Sequence, residues 1–139
     1  MSEPVPSHTV SIKSHRDLIV WQKAMNFVSA VYVATEQFPK TERYGLTSQV
    51  RRSATSVPAN IAEGQGRRLK GEFLQFLGNA RGSLLELDTH LEIALRLGFI
   101  GQESHATLAD QLIEIRKLLN GLIPPFLDPD NSWRVRSDI

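Results

Sequence analysis

The chain contains no cysteine among its 139 residues. Disulfide bonds, thiolate catalysis, and zinc or iron–sulfur sites with cysteine ligands are therefore excluded. The four histidines are His8, His15, His90 and His105. No two of them lie four residues apart, the spacing that places two imidazoles on one helix face for a metal ion. We expect no metal and no cofactor.

Long apolar runs are missing as well. No stretch approaches the ~18 to 20 apolar residues that span a bilayer, and the polar start, Met1 to Ser14, lacks the apolar core of a signal peptide. We therefore expect no membrane partner and a cytoplasmic location. With 41% hydrophobic and 22% charged residues, the composition is typical of a globular protein. A chain of this size predicts one folded domain.

Charge is distributed unevenly, although the formal net charge is only +1. The net charge of residues 1–42 is zero, and that of residues 71–139 is −4. Residues 43–70 have a net charge of +5, because Glu63 is their only acidic residue. The basic residues of this segment are Arg43, Arg51, Arg52, Arg67, Arg68 and Lys70. Such a concentration indicates an anionic partner at a defined place. The alternative is an ordinary solvated face.

The first helical segment carries two apolar stripes at intervals of three and four residues. One stripe comprises Leu18, Trp21, Met25, Val28, Tyr32 and Thr35, and the other comprises Val20, Ala24, Phe27, Val31 and Ala34. We predict that Trp21 and Tyr32 belong to the core. The helix should end near Phe38, because Pro39 disfavours helical geometry in the residue before it.

A second helix is predicted from apolar residues at intervals of four, three and four, namely Leu46, Val50, Ala54, Val57 and Ile61. It should stop at Gly64-Gln65-Gly66, where a glycine can adopt the left-handed conformation that ends helices. Pro58 lies inside this segment and predicts a kink if the helix is continuous.

The third and fourth helices have the most regular patterns. In the third, apolar residues repeat at Phe73, Leu77, Ala80, Leu84, Leu87, Leu91 and Ala94, and Gly98 is the predicted stop. A patch of small residues in the third helix comprises Gly78, Ala80, Gly82 and Ser83. It would allow close packing either within the same bundle or against another helix. The fourth follows Gly101, with Leu108, Leu112, Ile115, Leu119 and Leu122 before Pro124-Pro125.

Short connections between long amphipathic helices indicate antiparallel neighbours. The predicted fold class is all-α, an antiparallel up-down-up-down four-helix bundle over residues 16–123. Residues 1–15 are predicted to form a flexible N-terminal extension. Residues 124–139 are predicted to form a C-terminal tail that is polar beyond Phe126, and Trp133 in it is a candidate for docking elsewhere.

The residues between the first and third helices resemble the signature of a known family. The run Phe38–Arg52, continued by Ser56–Gly64, is similar to that of the 23S rRNA-intervening-sequence four-helix-bundle family. Further similarities are the segment Leu18–Ala24, the pairs Glu72-Phe73 and Phe76-Leu77, and the segment Ala80–Leu87. The resemblance covers roughly residues 16 to 123.

This resemblance implies a bacterial four-helix bundle that assembles with copies of itself into a homo-oligomer, as a ring-like homopentamer. The family includes accessory proteins of diversity-generating retroelements, which are basic and bind RNA and a reverse transcriptase. The partners implied are therefore RNA, or a protein such as a reverse transcriptase. This chain departs from those accessory proteins because it is nearly neutral overall.

The candidate nucleic-acid-binding residues are Arg51, Arg52, Arg67, Arg68 and Lys70. Guanidinium groups form bidentate hydrogen bonds to phosphate and stay charged, which suits contact with a nucleic-acid backbone. Arg67 and Arg68 follow a glycine turn and should be exposed, whereas Arg51 and Arg52 point about 100° apart on a helix. No aromatic stacking platform lies nearby in the sequence, so binding should be electrostatic. The alternative is that these arginines pair with acidic residues of a neighbouring helix or subunit.

Catalysis is not indicated by the remaining polar residues. Glu42, Glu63, Glu72 and Glu86 lack the Glu-x-x-His partners of di-iron bundles. Asn60 and Glu63 are expected to satisfy helix-end donors or a buried arginine such as Arg43. Ser48 and Ser53 have no histidine near them in the sequence. We expect no enzyme activity, and a scaffold that binds another protein is the alternative to nucleic-acid binding.

Overall fold

Four α-helices make up most of the part of the chain that the computed structural model describes, residues 14–123. They are α1 (Ile19–Thr35), α2 (Leu46–Gln65), α3 (Lys70–Arg96) and α4 (Gln102–Leu122), with short 3₁₀ turns at His15–Asp17 and Lys40–Glu42. The described residues contain no strand. This confirms the all-α class and the four predicted helices. Within the same range, none of the helices combines the length and apolarity needed to cross a membrane.

One apolar cluster, to which all four helices contribute side chains, forms the core. The predicted positions of α2 and α4 are buried, except Leu122, and so are those of α3 apart from the half-buried Phe73. In α1 the core residues are Val20, Ala24, Phe27 and Val31, which belong to the second of its two apolar stripes. The regular three-four periodicity therefore predicted the buried faces of α2, α3 and α4 well.

The placement of Tyr32 in the core was wrong, because its side chain is 40% exposed. Met25, on the same stripe, is 42% exposed, whereas Trp21 is half-buried and packs against the core. Since α1 has apolar residues on more than one side, its neighbours decide which stripe is covered. The stripe with the smaller side chains, including Ala24 and Val20, is the one that faces the other helices.

The connection from α1 to α2 is built from short turns. Helix α1 ends at Thr35, three residues before the predicted position. Pro39 then begins the 3₁₀ turn, and Glu42 Oε1 accepts a hydrogen bond from the backbone N–H of Leu46 at 3.0 Å. That bond satisfies one of the donors that the first turn of a helix leaves without a partner. Helix α2 is continuous through the buried Pro58, and the kink stays a prediction.

The glycines at the end of α2 serve a different purpose from the one predicted. The helix ends at Gln65, close to the predicted stop. The prediction of a left-handed glycine there was wrong, because Gly66 has φ −79°. Gly64 is buried where α2 meets α3: a Cβ there would lie 3.0 Å from Phe76 Cβ and 3.2 Å from the carbonyl oxygen of Phe73. A glycine at this position lets the two helices approach closely.

Gly98 ends α3 in the manner predicted. It has φ +76°, and the N–H of Phe99 donates to the carbonyl of Ala94 at 2.9 Å, which is the bond of a left-handed glycine cap. In the middle of α3, Gly78 and Gly82 face open space, because a Cβ added to either would meet nothing within 4 Å. These two glycines therefore do not pack against another helix within residues 14–123.

Contacts between successive helices pair residues near the end of one helix with residues nearer the start of the other. Thr35 at the end of α1 contacts Arg51 near the start of α2, and Ser53 and Ser56 of α2 contact His90 and Ser83 of α3. The end of α2, the start of α3 and the His15–Asp17 turn thus lie together, and we call this region the Arg67 end. The predicted N-terminal extension, apart from Ser14 and His15, and the tail with Pro124-Pro125 and Trp133 lie outside the described residues.

Candidate nucleic-acid interface

The five predicted binding residues fall into two groups at opposite ends of α2. Arg51 and Arg52 lie in its second turn, whereas Arg67 and Arg68 follow its last residue and Lys70 begins α3. At about 1.5 Å per residue, the length of α2 between Arg52 and Gln65 is about 20 Å. The basic segment is therefore continuous in the sequence but does not form one continuous patch.

Arg51 is engaged in contacts within the bundle. Its Nε donates to Thr35 Oγ1 at 2.8 Å, and its Nη2 donates to the carbonyl of Tyr32 at 3.3 Å. The guanidinium also lies 4.4 Å from the centre of the Tyr32 ring. Its side chain is half-buried, and two of its five N–H donors serve the contact between α1 and α2.

Arg52 is exposed. Successive residues on a helix point about 100° apart, so Arg52 faces solvent where Arg51 faces α1. Its side chain makes no hydrogen bond or ion pair with any residue in the range 14–123. The prediction that only one of this pair would face a partner agrees with these positions.

Arg67 is exposed as predicted but already has an acidic partner. Its Nη2 lies 3.0 Å from Glu63 Oε2, one turn earlier on α2, and its guanidinium lies 4.8 Å from the centre of the Phe76 ring. The two side chains of the ion pair are 41% and 58% exposed, so solvent screens their attraction strongly. Arg67 can therefore exchange this partner for an external anion at low cost.

Arg68 and Lys70 are exposed, and neither forms an ion pair with the described residues. Together with Arg52, they are the three candidate residues whose charges are available to a ligand. Of the five predicted residues, Arg51 has contacts within the bundle and Arg67 is in an exposed ion pair. The remaining three are exposed cations without an ion pair among the described residues.

Sequence reasoning missed two residues at the Arg67 end, His15 and Arg16. The 3₁₀ turn that holds them is fixed by a capping box between Ser14 and Asp17. Arg16 is exposed, and its guanidinium lies 5.3 Å from the centre of the Trp21 ring. The capping pattern Ser-x-x-Asp was visible in the sequence, but its proximity to Arg67, about 50 residues later, was not.

The other polar residues have local roles. Asn60 Nδ2 donates to the carbonyl and the hydroxyl of Ser56, at 2.8 and 2.9 Å. Asn60 and Glu63 were expected to satisfy helix-end donors or a buried arginine such as Arg43. The second alternative is wrong for Arg43, which is exposed and lies over the Tyr44 ring.

Ser53 does have a histidine nearby in space, with Oγ 3.5 Å from His90 Nδ1. The Ser53 hydroxyl donates to the carbonyl of Gln49, which is a common contact for a serine in a helix. Among residues 14–123 no three His, Asp or Glu side chains are grouped closely enough to hold a metal ion.

Fold and site together define an all-helical protein of four packed helices, with available cations at both ends of α2. The chain belongs to the family described as 23S rRNA-intervening sequence protein, whose sequence profile matches residues 16–121. This confirms the resemblance found in the sequence.

A solved structure supports the same relationship. It is that of a protein with unknown function from the S23 ribosomal protein family of Bacteroides thetaiotaomicron, and the chain is similar to it with a TM-score of 0.71 and 25% sequence identity. The alignment covers 76% of this chain and 98% of the other. The comparison with curated proteins gives no match.

Proposed function

We propose that this chain is a non-enzymatic, oligomeric accessory protein that binds RNA or another nucleic acid electrostatically. The observation that carries the proposal is the exposure of Arg52, Arg68 and Lys70, which have no ion-pair partner within residues 14–123. Family membership supports it, because the family is described by its relation to ribosomal RNA genes. The retroelement accessory proteins remain only a resemblance.

The chemistry of these cations fits a phosphate backbone. Arginine presents a planar fork of donors that matches two phosphate oxygens, and lysine supplies a point charge. The exposed Glu63–Arg67 pair adds a cation that an incoming phosphate can recruit. Contacts of this type position a nucleic acid without reading its sequence, so binding should be sensitive to salt.

We also propose that the helices form an antiparallel up-down-up-down bundle and that several copies associate, with a pentameric ring as the expected assembly. The contacts between helices support this topology. Thr35 at the end of α1 contacts Arg51 near the start of α2, and Ser53 in the first half of α2 contacts His90 near the end of α3. Likewise, Arg81 in the first half of α3 contacts Asn120 near the end of α4. Exposed apolar side chains support association: Val33 and Ile19 on α1 are 69% and 61% exposed. Repetition of weak cationic sites in an oligomer increases the overall affinity for a long polyanion. Light scattering that gave only the 15.6 kDa mass of one chain would contradict association.

The test is binding of a structured RNA and of duplex DNA at low and physiological salt. The double variant Arg68→Glu/Lys70→Glu should reduce the affinity for both ligands at least 10-fold. A matched control, Arg96→Glu/Lys117→Glu, changes the net charge equally at exposed positions away from the Arg67 end and should retain most of the affinity. Absence of binding to either nucleic acid at low salt would refute the proposal.

A scaffold that binds another protein is the second candidate. The exposed apolar side chains Leu69 and Leu97, at 65% and 59%, motivate it, because apolar surface that forms a contiguous patch marks sites of protein interaction. If the purified oligomer binds no nucleic acid at low salt, this candidate becomes the preferred one. Reversal of Arg68 and Lys70 would then have no effect on partner binding.

A further inference from the structure

Tyr44 is the most exposed aromatic side chain among residues 14–123, at 88% exposure. Tyr32 is 40% exposed, and the Arg51 guanidinium already covers one face of its ring. Trp21 and Phe76, near the Arg67 end, are half-buried. The Tyr44 hydroxyl makes no hydrogen bond with the described residues. Neither packing nor hydrogen bonding in this part of the chain uses the Tyr44 ring, which is therefore open to a ligand.

The backbone on both sides of Tyr44 is held by hydrogen bonds. The N–H of Glu42 donates to the carbonyl of Pro39 at 2.8 Å, and the N–H of Gly45 donates to the carbonyl of Glu42 at 2.9 Å. The Glu42 carboxylate accepts from the N–H of Leu46, the first residue of α2. Tyr44 thus lies at a fixed place between the 3₁₀ turn and α2. Binding of a ligand to its ring costs little entropy of loop ordering.

Three cations lie in the same part of the molecule. The Arg43 guanidinium lies 5.6 Å from the centre of the Tyr44 ring. Lys40 begins the preceding 3₁₀ turn, and Arg52 lies in the second turn of α2, about 9 Å along the axis from its first residue. All three are exposed and form no ion pair with the described residues. The carboxylate of Glu42, the nearest acidic residue in the sequence, already caps the start of α2.

An exposed ring among cations is the combination that binds single-stranded nucleic acid. Every unpaired base has a face that stacks on an aromatic side chain, while arginine and lysine contact the phosphates on either side. In a duplex, both faces of an internal base are already stacked on neighbouring bases. The Tyr44 ring therefore distinguishes unpaired from paired strands, which cations alone do not. Its exposure contradicts the prediction that no aromatic platform lies near the arginines.

We propose that Tyr44 stacks on an unpaired base of single-stranded RNA, and that Lys40, Arg43 and Arg52 contact the phosphates of the neighbouring nucleotides. This inference rests on the proposed nucleic-acid binding and adds to it a preference for single strands. A strand that continues for about 20 Å along α2 reaches the cations of the Arg67 end as well.

The experiment compares the affinities of the full-length protein for an unstructured oligouridylate and for an RNA duplex with the same number of phosphates, at one low salt concentration. Tyr44→Leu removes the ring from an exposed position and changes no charge. It should weaken oligouridylate binding at least about 5-fold, the lower limit for loss of one base stacked on a side chain. Duplex binding should persist. Tyr44→Phe is the matched control, because it keeps the ring and should retain both affinities.

A charge variant tests the contact with the flanking phosphates. For oligouridylate, Lys40→Gln should reduce the steepness of log affinity against log salt by about 0.7 per binding chain. Lys117→Gln removes the same charge from an exposed position on α4 and should leave the slope unchanged. An unchanged slope for Lys40→Gln would overturn its contact with the strand.

The ring and the proposed function fail in different ways. Unchanged oligouridylate binding by Tyr44→Leu would refute stacking, and so would an equal loss of affinity for oligouridylate and duplex. A change in the mass of the Tyr44→Leu assembly in light scattering would also refute it, because the ring would then lie between copies. Failure of both RNAs to bind the unmodified protein at low salt would instead refute the proposed function.

Discussion

The Arg51 guanidinium lies 4.4 Å from the centre of the Tyr32 ring, which joins α2 to α1 on the outside of the core. The same guanidinium donates to Thr35 Oγ1 and to the Tyr32 carbonyl. Tyr32 is therefore a surface partner of a cation, and Arg51 is a structural residue within a basic segment. This pair explains why the predicted core residue Tyr32 lies at the surface and why the candidate binding residue Arg51 has contacts within the bundle.

Replacement of Arg51 by alanine should lower the free energy of unfolding. The loss of a cation–π contact and of a charge-assisted hydrogen bond to a buried threonine should cost about 1 to 3 kcal/mol. The neighbouring Arg52→Ala is the control, and it should change stability by no more than about 0.5 kcal/mol because its side chain is exposed. Urea unfolding followed by circular dichroism measures both.

The same two variants should show the opposite order in RNA binding. Arg52→Ala removes an available cation and should weaken binding, whereas Arg51→Ala should retain affinity at temperatures where it is folded. A larger loss of affinity for Arg51→Ala in its folded state would contradict the division between structural and available arginines.

Replacement of Gly64 by alanine should destabilise the fold, because the new Cβ would lie 3.0 Å from Phe76 Cβ and 3.2 Å from a backbone oxygen of α3. The backbone and a Cβ cannot move aside without separating the helices, so we expect a cost of about 1 to 3 kcal/mol. Gly71→Ala is the control, since a Cβ there meets nothing within 4 Å. Equal midpoints of thermal unfolding for the two variants would show that the contact between α2 and α3 can relax.

Alanine at Gly78 or Gly82 should have the opposite effect. Both glycines lie inside α3 and face open space, so alanine should increase stability by up to about 1 kcal/mol each through its higher helix propensity. Chemical unfolding and light scattering of Gly78→Ala/Gly82→Ala together provide the test. A loss of stability accompanied by dissociation would instead show that another copy packs against these glycines in solution.

The salt dependence of RNA binding should report how many cations engage the backbone. For single strands, the slope of log affinity against log salt is about −0.7 for each phosphate contact. Each replacement of Arg68 or Lys70 by glutamine should reduce the steepness by about 0.7 per binding chain. Glutamine at Arg96, which pairs with Glu92, should leave the slope unchanged. A slope near zero for the unmodified protein would contradict electrostatic binding.

The amino-acid sequence alone determined the number of helices, most of their boundaries and the buried faces of α2, α3 and α4. Apolar periodicity and the left-handed cap at Gly98 act locally, so that neighbouring residues are sufficient to predict their effects. The family signature is local in the same sense, because it consists of runs such as Phe38–Arg52.

Tertiary structure decided the rest. Two stripes of α1 were equally apolar, and only the packing of the other helices buried Val31 and left Tyr32 to pair with Arg51. The five cations fall within one segment of the sequence, residues 51–70, but the length of α2, 20 residues, separates them into two groups at its two ends. At the Arg67 end, His15 and Arg67 line one open cleft although they lie about 50 positions apart in the sequence. No local pattern encodes such a meeting, because it depends on the path of the whole chain through the bundle.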